Sequence, residues 1–373
     1  MIRFTWLQFR TQAAVSIGGL AVVAVVLAIT GPHLAHLYDT TVANCKAHND
    51  CKTAMAAFLR NDRSLQIGLD ALVVVVPGII GIFWGPPLVA RELETGTYRL
   101  AWTQGVTRRR WMAAKLGVVG LASLAVAGLL SLMVTWWSSP VDRVNMSPFV
   151  SFDQRAIVPV GYAAFAFALG VTAGLLIRRT LPAMATTLAV FVGVRLVVAH
   201  FLRPYHLIAP LHRTVPDTAI AAIAFSGPGS PPTWGLAPRD WLMSNQTINA
   251  TGHVIGQDGV ISDGAGNIGI GPHGVGIQGL TCPNIRLPRH STPNPAAANA
   301  AIQRCVNQLR IRDLLTYQPT SRYWTFQWYE LAIFLGLALV LSGFCLWWSR
   351  RRSREPHVQH SRTDRAPALE RSR

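Results

Sequence analysis

The side chains best suited to chemistry lie in a charged, glycine-punctuated segment, Arg91–Gly117. It begins with two carboxylates, Glu92 and Glu94, and continues through a run of basic side chains. Carboxylates and guanidinium groups pair with opposite charges on a protein or lipid surface. The segment lies between two apolar runs, Gln66–Ala90 and Leu116–Trp137, and each reaches the roughly 20 residues that cross a bilayer. We therefore expect it to lie at a membrane surface.

The same segment carries apolar side chains that a solvated basic loop does not need. Gly96 permits a turn, and Thr97–Thr103 fits a short helix that presents Leu100 and Trp102. Thr107 is suited to cap the next helix. Attraction to the membrane explains the arginines, but it does not explain the large apolar residues between them. We interpret the segment as a docking surface for another protein, formed by Glu92, Glu94, Gly96, Thr97, Tyr98, Leu100, Trp102 and Arg108.

Several catalytic and metal-binding patterns are absent from the sequence. There is no G-x-x-x-x-G-K-[ST] phosphate loop, and the glycine-rich Ser244–Gly279 lacks the lysine and hydroxyl residues in the required places. There is also no H-E-x-x-H and no G-x-S-x-G motif. His33 and His36 form H-x-x-H, but no acidic residue is spaced for a zinc enzyme. We expect no enzyme activity, no metal site and no cofactor bound by this chain.

Composition is typical of a multi-span membrane protein. Hydrophobic residues make up 50% of the 373 positions and charged residues 14%, and the mean hydropathy is +0.30. Six runs are long and apolar enough to cross a bilayer. They are approximately Ala13–Pro32, Gln66–Ala90, Leu116–Trp137, Ala156–Ile177, Leu181–Phe201 and Trp324–Trp348. The predicted fold class is an all-α membrane protein with six transmembrane helices.

The formal net charge of +17 is unevenly distributed. Basic residues concentrate at the start of the chain, in Arg91–Lys115, at Arg178 and Arg179, and after Trp348. The intervening connections are poorer in arginine and lysine. Because positive charge accumulates on the cytoplasmic side of membrane proteins, both termini are predicted to be cytoplasmic. Anionic lipid headgroups account for such charge, so membrane lipids are expected partners and nucleic acid is not.

Few residues within the predicted spans are polar. Asp70, near the outer end of the second span, and Arg195, in the outer half of the fifth, lie at similar depths. A charge inside a bilayer is costly unless it is paired or hydrated, so we predict an intramembrane ion pair between them. The alternative is that each side chain reaches the outer surface independently. In the fourth span, Gly170 and Gly174 form a G-x-x-x-G pair suited to close helix packing.

Four of the five cysteines fall in the predicted outer connections. They are Cys45, Cys51, Cys282 and Cys305, whereas Cys345 lies in the sixth span. Cysteines on the oxidising side of a membrane indicate disulfides. We favour Cys45–Cys51 and Cys282–Cys305, although four cysteines allow three connectivities and free thiols are a further alternative.

Residues 1–12 alternate aromatic and basic positions, which is typical of an amphipathic helix lying in the cytoplasmic membrane interface. Its lipid-facing side would carry Phe4, Trp6 and either Leu7 or Phe9. The alternative is that these residues simply begin the first span. Trp111 is likewise expected to anchor at the interface.

The segment between the fifth and sixth spans is far longer than an ordinary connection. We interpret residues 202–323 as a small extracytoplasmic cap in which Asn294–Tyr317 forms a helix that begins at an asparagine cap and stops before Pro319. The expected organisation is an interfacial helix at 1–12, spans one to five at 13–201 with the docking segment at 91–115, the cap, a sixth span at 324–349 and a basic cytoplasmic tail at 350–373.

Two stretches, Arg91–Gly117 and Tyr317–Glu330, resemble type-2 ABC exporter permeases, in particular a bacterial, mainly actinobacterial, group. In that family the segment between the second and third spans couples to a separate ATP-binding subunit. The resemblance therefore implies an ABC ATP-binding partner that holds ATP and Mg, and a second permease copy or homologue. The long outer connection departs from the family, whose members have a shorter helical element there.

The resemblance implies a permease subunit in the bacterial plasma membrane that exports a hydrophobic or amphipathic compound, such as a drug, lipid or metabolite. The alternative function is a non-transporting membrane sensor or anchoring protein that uses the extracytoplasmic cap. A neighbouring gene for a P-loop ATPase would favour the exporter.

Overall fold

A computed structural model describes the helical bundle and part of the long connection. The described residues are 2–46, 51–96, 107–144, 147–216, 239–257, 269–271, 274–277, 280–282, 304, 307–308, 310 and 312–351. Helices dominate this part of the chain. Their bounds are α1 Ile2–Leu37, α2 Lys52–Asn61, α3 Arg63–Thr95, α4 Arg108–Val144, α5 Val158–Ile177, α6 Thr180–Val197 and α7 Tyr323–Arg351. α1 continues as a π-helix over Tyr38–Ala43, and α6 does so over Val198–His206.

All six predicted spans are confirmed as helices long and apolar enough to cross a membrane. They belong to α1, α3, α4, α5, α6 and α7, which alternate in direction. α5 is the central helix, because 72% of its most apolar stretch is buried, whereas the other five have at most 33% buried. Those five therefore leave apolar faces for lipid or a partner.

The predicted close packing at Gly170 and Gly174 is confirmed, and the facing helix is α3. A Cβ added to Gly85 of α3 would lie 2.6 Å from the Cα of Gly170. A Cβ added to Gly174 would lie 2.8 Å from the carbonyl oxygen of Pro86. Since real side chains cannot approach so closely, only glycine allows the two backbones to meet along this seam.

The N-terminal residues correct the boundary expected at residue 12. Ile2 begins a helix that runs without interruption to Leu37, so Ile2–Gln12 continues into the first span. Phe9 is buried rather than facing lipid, and its ring packs edge-on against Trp84 at 4.7 Å between centroids. Burial of this aromatic contact favours the continuous helix over a separate interfacial one.

The long connection contains a β-sheet, which corrects the last part of the helix predicted over Asn294–Tyr317. Within that range, residues 304, 307 and 308 are helical and 312–317 belong to a strand, whereas 294–303 lie outside the described residues. Residues 312–318 form a strand whose side chains alternate in burial, and Arg310 just before it has a left-handed φ of 52° that ends the preceding helical residues. The antiparallel order is β1-β7-β2-β3, and a second sheet has the order β4-β5-β6. The strands are β1 Leu211–Pro216, β2 Trp241–Ile248, β3 Val254–Gln257, β4 Gly269–Gly271, β5 Gly274–Ile277, β6 Leu280–Cys282 and β7 Arg312–Gln318.

The bundle thus has two unlike ends. We call the end where α3, α5 and α7 finish and α4 and α6 begin the basic end. The opposite end, from which β1 leaves α6 and β7 enters α7, is the sheet end.

Candidate functional site

At the basic end, Glu92 forms an internal ion pair. The Nζ of Lys115 lies 2.6 Å from Glu92 Oε1 and donates a second hydrogen bond of 2.9 Å to the carbonyl of Leu88. The Lys115 side chain is 1% exposed and lies over the ring of Trp111 at 4.7 Å. A buried ammonium needs such a partner, because an unpaired charge in this position is strongly destabilising. Glu92 therefore joins α3 to α4, and its role in docking stays a prediction.

Glu94, two residues later, joins α3 to α6. Its Oε1 accepts a hydrogen bond of 2.8 Å from the backbone N–H of Thr180, and its Oε2 accepts one of 2.8 Å from the Thr180 hydroxyl. Thr180 is the first residue of α6. Because the first N–H groups of a helix have no partner within it, a carboxylate there satisfies a donor and suits the helix dipole.

The ends of the docking segment agree with the sequence analysis. Gly96 follows α3 with a left-handed φ of 71° and turns the chain. Thr107 caps α4, because its carbonyl accepts from Trp111 N at 3.1 Å and its hydroxyl lies 3.4 Å from Arg110 N. Arg108 begins α4. The remaining predicted docking residues lie outside the described residues, namely Thr97, Tyr98, Leu100 and Trp102.

Trp111 corrects the expectation of an interfacial anchor. Its side chain is only 4% exposed and packs in the apolar core with Phe9, Trp84 and Val89. The core of the bundle therefore extends up to the first turn of α4, within the docking segment itself.

At the sheet end, Asp70 and Arg195 do not pair with each other, and the prediction is corrected. Arg155 Nη1 lies 2.6 Å from Asp70 Oδ1, while Arg195 Nη2 lies 3.7 Å from Asp153 Oδ2. Arg195 Nη1 also donates to the carbonyl of Val74 at 2.9 Å. The predicted depths were similar enough for pairing, but each side chain meets a closer charge from the connection between α4 and α5.

That connection, residues 147–157, has five buried residues, among them Phe149, Phe152 and Arg155, and we call it the buried connection. Phe149 and Phe152 pack against α7 at Tyr323 and Phe326. Its polar backbone is satisfied by neighbouring side chains: Ser131 donates to the carbonyl of Ala156 at 2.7 Å and Gln327 donates to that of Phe152 at 3.2 Å. A buried segment needs such partners, since unpaired backbone groups are costly.

A second set of charged side chains meets around Asp153, in the middle of the buried connection. Arg203 binds Glu330 through two hydrogen bonds, Nε to Oε2 at 2.9 Å and Nη2 to Oε1 at 2.8 Å, and its Nη2 also contacts Asp153. The Tyr162 hydroxyl lies 2.5 Å from Glu330 Oε1 and 3.0 Å from Asp153 Oδ1. We call Asp153, Tyr162, Arg195, Arg203 and Glu330 the polar cluster.

Arg203 and Glu330 were not predicted as site residues, because each lies near the end of a predicted span, where charged residues are common. The signal that could have found them is their position inside the continuous helices that carry the fifth and sixth spans. Glu330 is 1% exposed, so its charge needs the bidentate arginine.

Beside the polar cluster, α3 and α6 form the walls of an open cavity of about 890 Å³. Apolar residues of both helices form its walls, among them Gly78, Ile79, Leu188 and Phe191. Arg195, Asp153 and Arg203 line it together with three residues of β2. The cavity is within the range of roughly 300–1,000 Å³ in which proteins hold small ligands, and its lining suits a molecule with an apolar body and a polar group.

The cysteines agree with the favoured connectivity as far as they are described. Cys45 and Cys51 are joined by a disulfide, and Cys345 is a buried free thiol whose sulfur lies 3.3 Å from the Thr172 hydroxyl. Cys282 ends β6, and Cys305 lies outside the described residues. The link between those two stays a prediction.

Comparison with known proteins gives one match. The family model described as ABC-2 membrane transporter related matches residues 17–203, half of the 373-residue chain, from within the first span to within the helix of the fifth. No curated protein and no solved structure matches the chain. The match extends from α1 through the docking segment to Arg203 of the polar cluster, and the chain belongs to the ABC-2 membrane transporter related family.

Proposed function

We propose that this chain is the membrane-spanning permease subunit of an ATP-driven exporter in the bacterial plasma membrane, with its basic end and both termini in the cytoplasm. The observation that carries the proposal is that the helix leading into the docking segment is bonded to two other helices. On its N-terminal side, Glu92 holds α4 and Glu94 holds α6, so movement of the segment reaches three helices directly.

A separate ABC ATP-binding subunit supplies ATP and Mg and docks on the segment through Tyr98, Leu100, Trp102 and the arginines from Arg108. The absence of a phosphate loop from the sequence supports this division of labour. A second permease copy or a homologue covers the exposed apolar faces that remain beside the lipid. The chain itself performs no hydrolysis.

The transported compound is hydrophobic or amphipathic, and the cavity between α3 and α6 is the place where it binds. Apolar walls take up its body, and Arg195 and the neighbouring charges orient a polar group. α3 is joined directly to the docking segment through Gly96, and α6 is joined to α3 through Glu94. Movement at the basic end therefore reaches both walls of the cavity.

Co-purification from native membrane tests the proposal. Trp102→Ala and Leu100→Ala should each lower the co-purifying ATPase activity by about fivefold or more, because truncating a central anchor of an interface costs more than about 1 kcal/mol of binding free energy. Trp324→Ala is the matched control, since this exposed tryptophan lies at the sheet end. Equal ATPase recovery from all three variants and the unmodified protein would reject the docking role of the segment.

A further inference from the structure

The two walls of the cavity are connected at the basic end by an exposed contact. Toward the sheet end, α3 and α6 line the cavity, and the Arg195 guanidinium of α6 hydrogen-bonds to the backbone of α3. At the basic end, the Glu94 carboxylate reaches across and binds both the backbone N–H and the hydroxyl of Thr180. Within the cavity lining, Phe191 of α6 packs against Gly78 of α3, with 3.5 Å between its ring and the position of a Cβ on the glycine.

The start of α6 depends on Glu94 more than most helix starts depend on another element. Arg179, in the N-cap position, is extended and makes no side-chain cap within the described structure. Pro182, in the first turn, has no N–H to offer. The carboxylate of Glu94 therefore takes the place that a serine or aspartate cap ordinarily has.

The connection from α5 to α6 leaves little slack for α6 to move on its own. It consists of Arg178 and Arg179, and Arg178 is in the left-handed conformation with φ of 56°. α6 is thus held on one side by a two-residue turn from the central helix. On the other side, within the described residues, it is held at its first turn by Glu94.

The contacts of the two carboxylates of α3 differ in how easily they can be broken. Lys115 is buried, so release of Glu92 would leave an ammonium without solvent. Glu94 is exposed and Thr180 is half-buried, so water can replace their hydrogen bonds when they separate. Gly96, which turns the chain into the docking segment, follows Glu94 by two residues.

We propose that Glu94 is a positioning residue that latches α3 to α6 at the basic end and is released when the docking segment moves, while the Glu92–Lys115 pair stays closed. With the latch closed, the cavity is shut toward the basic end. With it open, α3 and α6 separate there. The proposal rests on the proposed function for the source of the movement, but the latch itself is a property of the permease alone.

The distance between spin labels on two exposed residues, Arg91 of α3 and Leu181 of α6, measures the latch in the full-length protein in lipid nanodiscs. Without nucleotide, the unmodified protein should show one short distance. Glu94→Ala and Thr180→Val should shift the ratio of short to long distances by about fivefold or more toward the long one, a typical size for coupling between two conformations. Thr180→Ser keeps the hydroxyl and should match the unmodified protein.

The result that overturns the latch is an unchanged short distance in both Glu94→Ala and Thr180→Val. In complexes with a bound ATP-binding subunit, trapped nucleotide should also lengthen the distance in the unmodified protein, and no lengthening there would reject release by the segment. If no ATPase co-purifies, the proposed function fails, whereas the nucleotide-free comparison still decides whether Glu94 holds α6.

Discussion

The ion pairs of the sheet end and the Glu94 contact at the basic end use charged groups in opposite ways. At the sheet end, three arginines and four carboxylates of the described chain share partners, and their two hubs, Arg155 and Arg203, are buried. At the basic end, the exposed Glu94 binds a helix start through two hydrogen bonds that water can replace. Ion pairs that share buried partners stabilise one fixed structure. An exposed charged group contributes little to stability, so its partner can be replaced by water.

The largest effect should follow from removing the central cation of the polar cluster. Arg203→Met leaves Glu330 and Asp153 without their shared guanidinium and should lower the free energy of unfolding by about 3–5 kcal/mol, as expected for breaking a buried ion pair. Unfolding in mixed micelles with increasing sodium dodecyl sulfate measures the change. Arg63→Met, at an exposed position, is the matched control. A loss no greater than that of the control would mean that the sheet end is not fixed by its charges.

A smaller loss of stability should come from disturbing the close packing of α3 on α5 at Gly85 and Gly170. Gly170→Val places methyl groups where α3 backbone already lies and should destabilise the protein by about 1–3 kcal/mol, the usual cost of overpacking. Gly343→Val on α7 is the control, because no described atom lies within 4 Å of a Cβ at that position. Equal stability of the two variants would show that α3 and α5 are not in close contact.

The smallest expected effect distinguishes the ion pairs of the structure from the Asp70–Arg195 pair, which was predicted from depth alone. A double-mutant cycle with Asp70→Asn and Arg155→Gln should give an interaction energy of about 0.5–3 kcal/mol, because the two side chains are in contact. The equivalent cycle of Asp70→Asn with Arg195→Gln should be additive to within about 0.5 kcal/mol. Coupling in the second cycle but not in the first would show that Asp70 pairs with Arg195, as the sequence predicted, and not with Arg155.

The spans were predictable because they depend on a local property, about 20 consecutive apolar residues. The pairing of charges was not, because Asp70 and Arg195 meet partners from residues 147–157, which hydropathy alone presents as an ordinary outer connection. The strand at Arg312–Gln318 was missed for a similar reason. Its pairing with β1 and β2 joins residues far apart in the sequence, and this tertiary pairing overrides a local helical pattern.

The structure of the docking segment was predictable only in part. Its turn at Gly96 and its cap at Thr107 follow local rules, and both are found where the sequence places them. Glu92 and Glu94 were assigned to a partner because two carboxylates beside a basic run look available. Their internal partners, Lys115 and Thr180, lie on the next helix and on a helix beyond it, so no local pattern identifies them.

The central position of α5 has a consequence for the order of synthesis. A chain made from its N-terminus delivers α5 well before α7, yet Tyr162 of α5 packs on Phe334 and hydrogen-bonds Glu330, both from the last helix. Until α7 emerges, one face of the innermost helix has no protein to cover it, and Arg203 lacks its bidentate carboxylate. Such distant contacts slow folding and leave exposed intermediates. The nascent protein completes the packing around α5 only when α7 has been made.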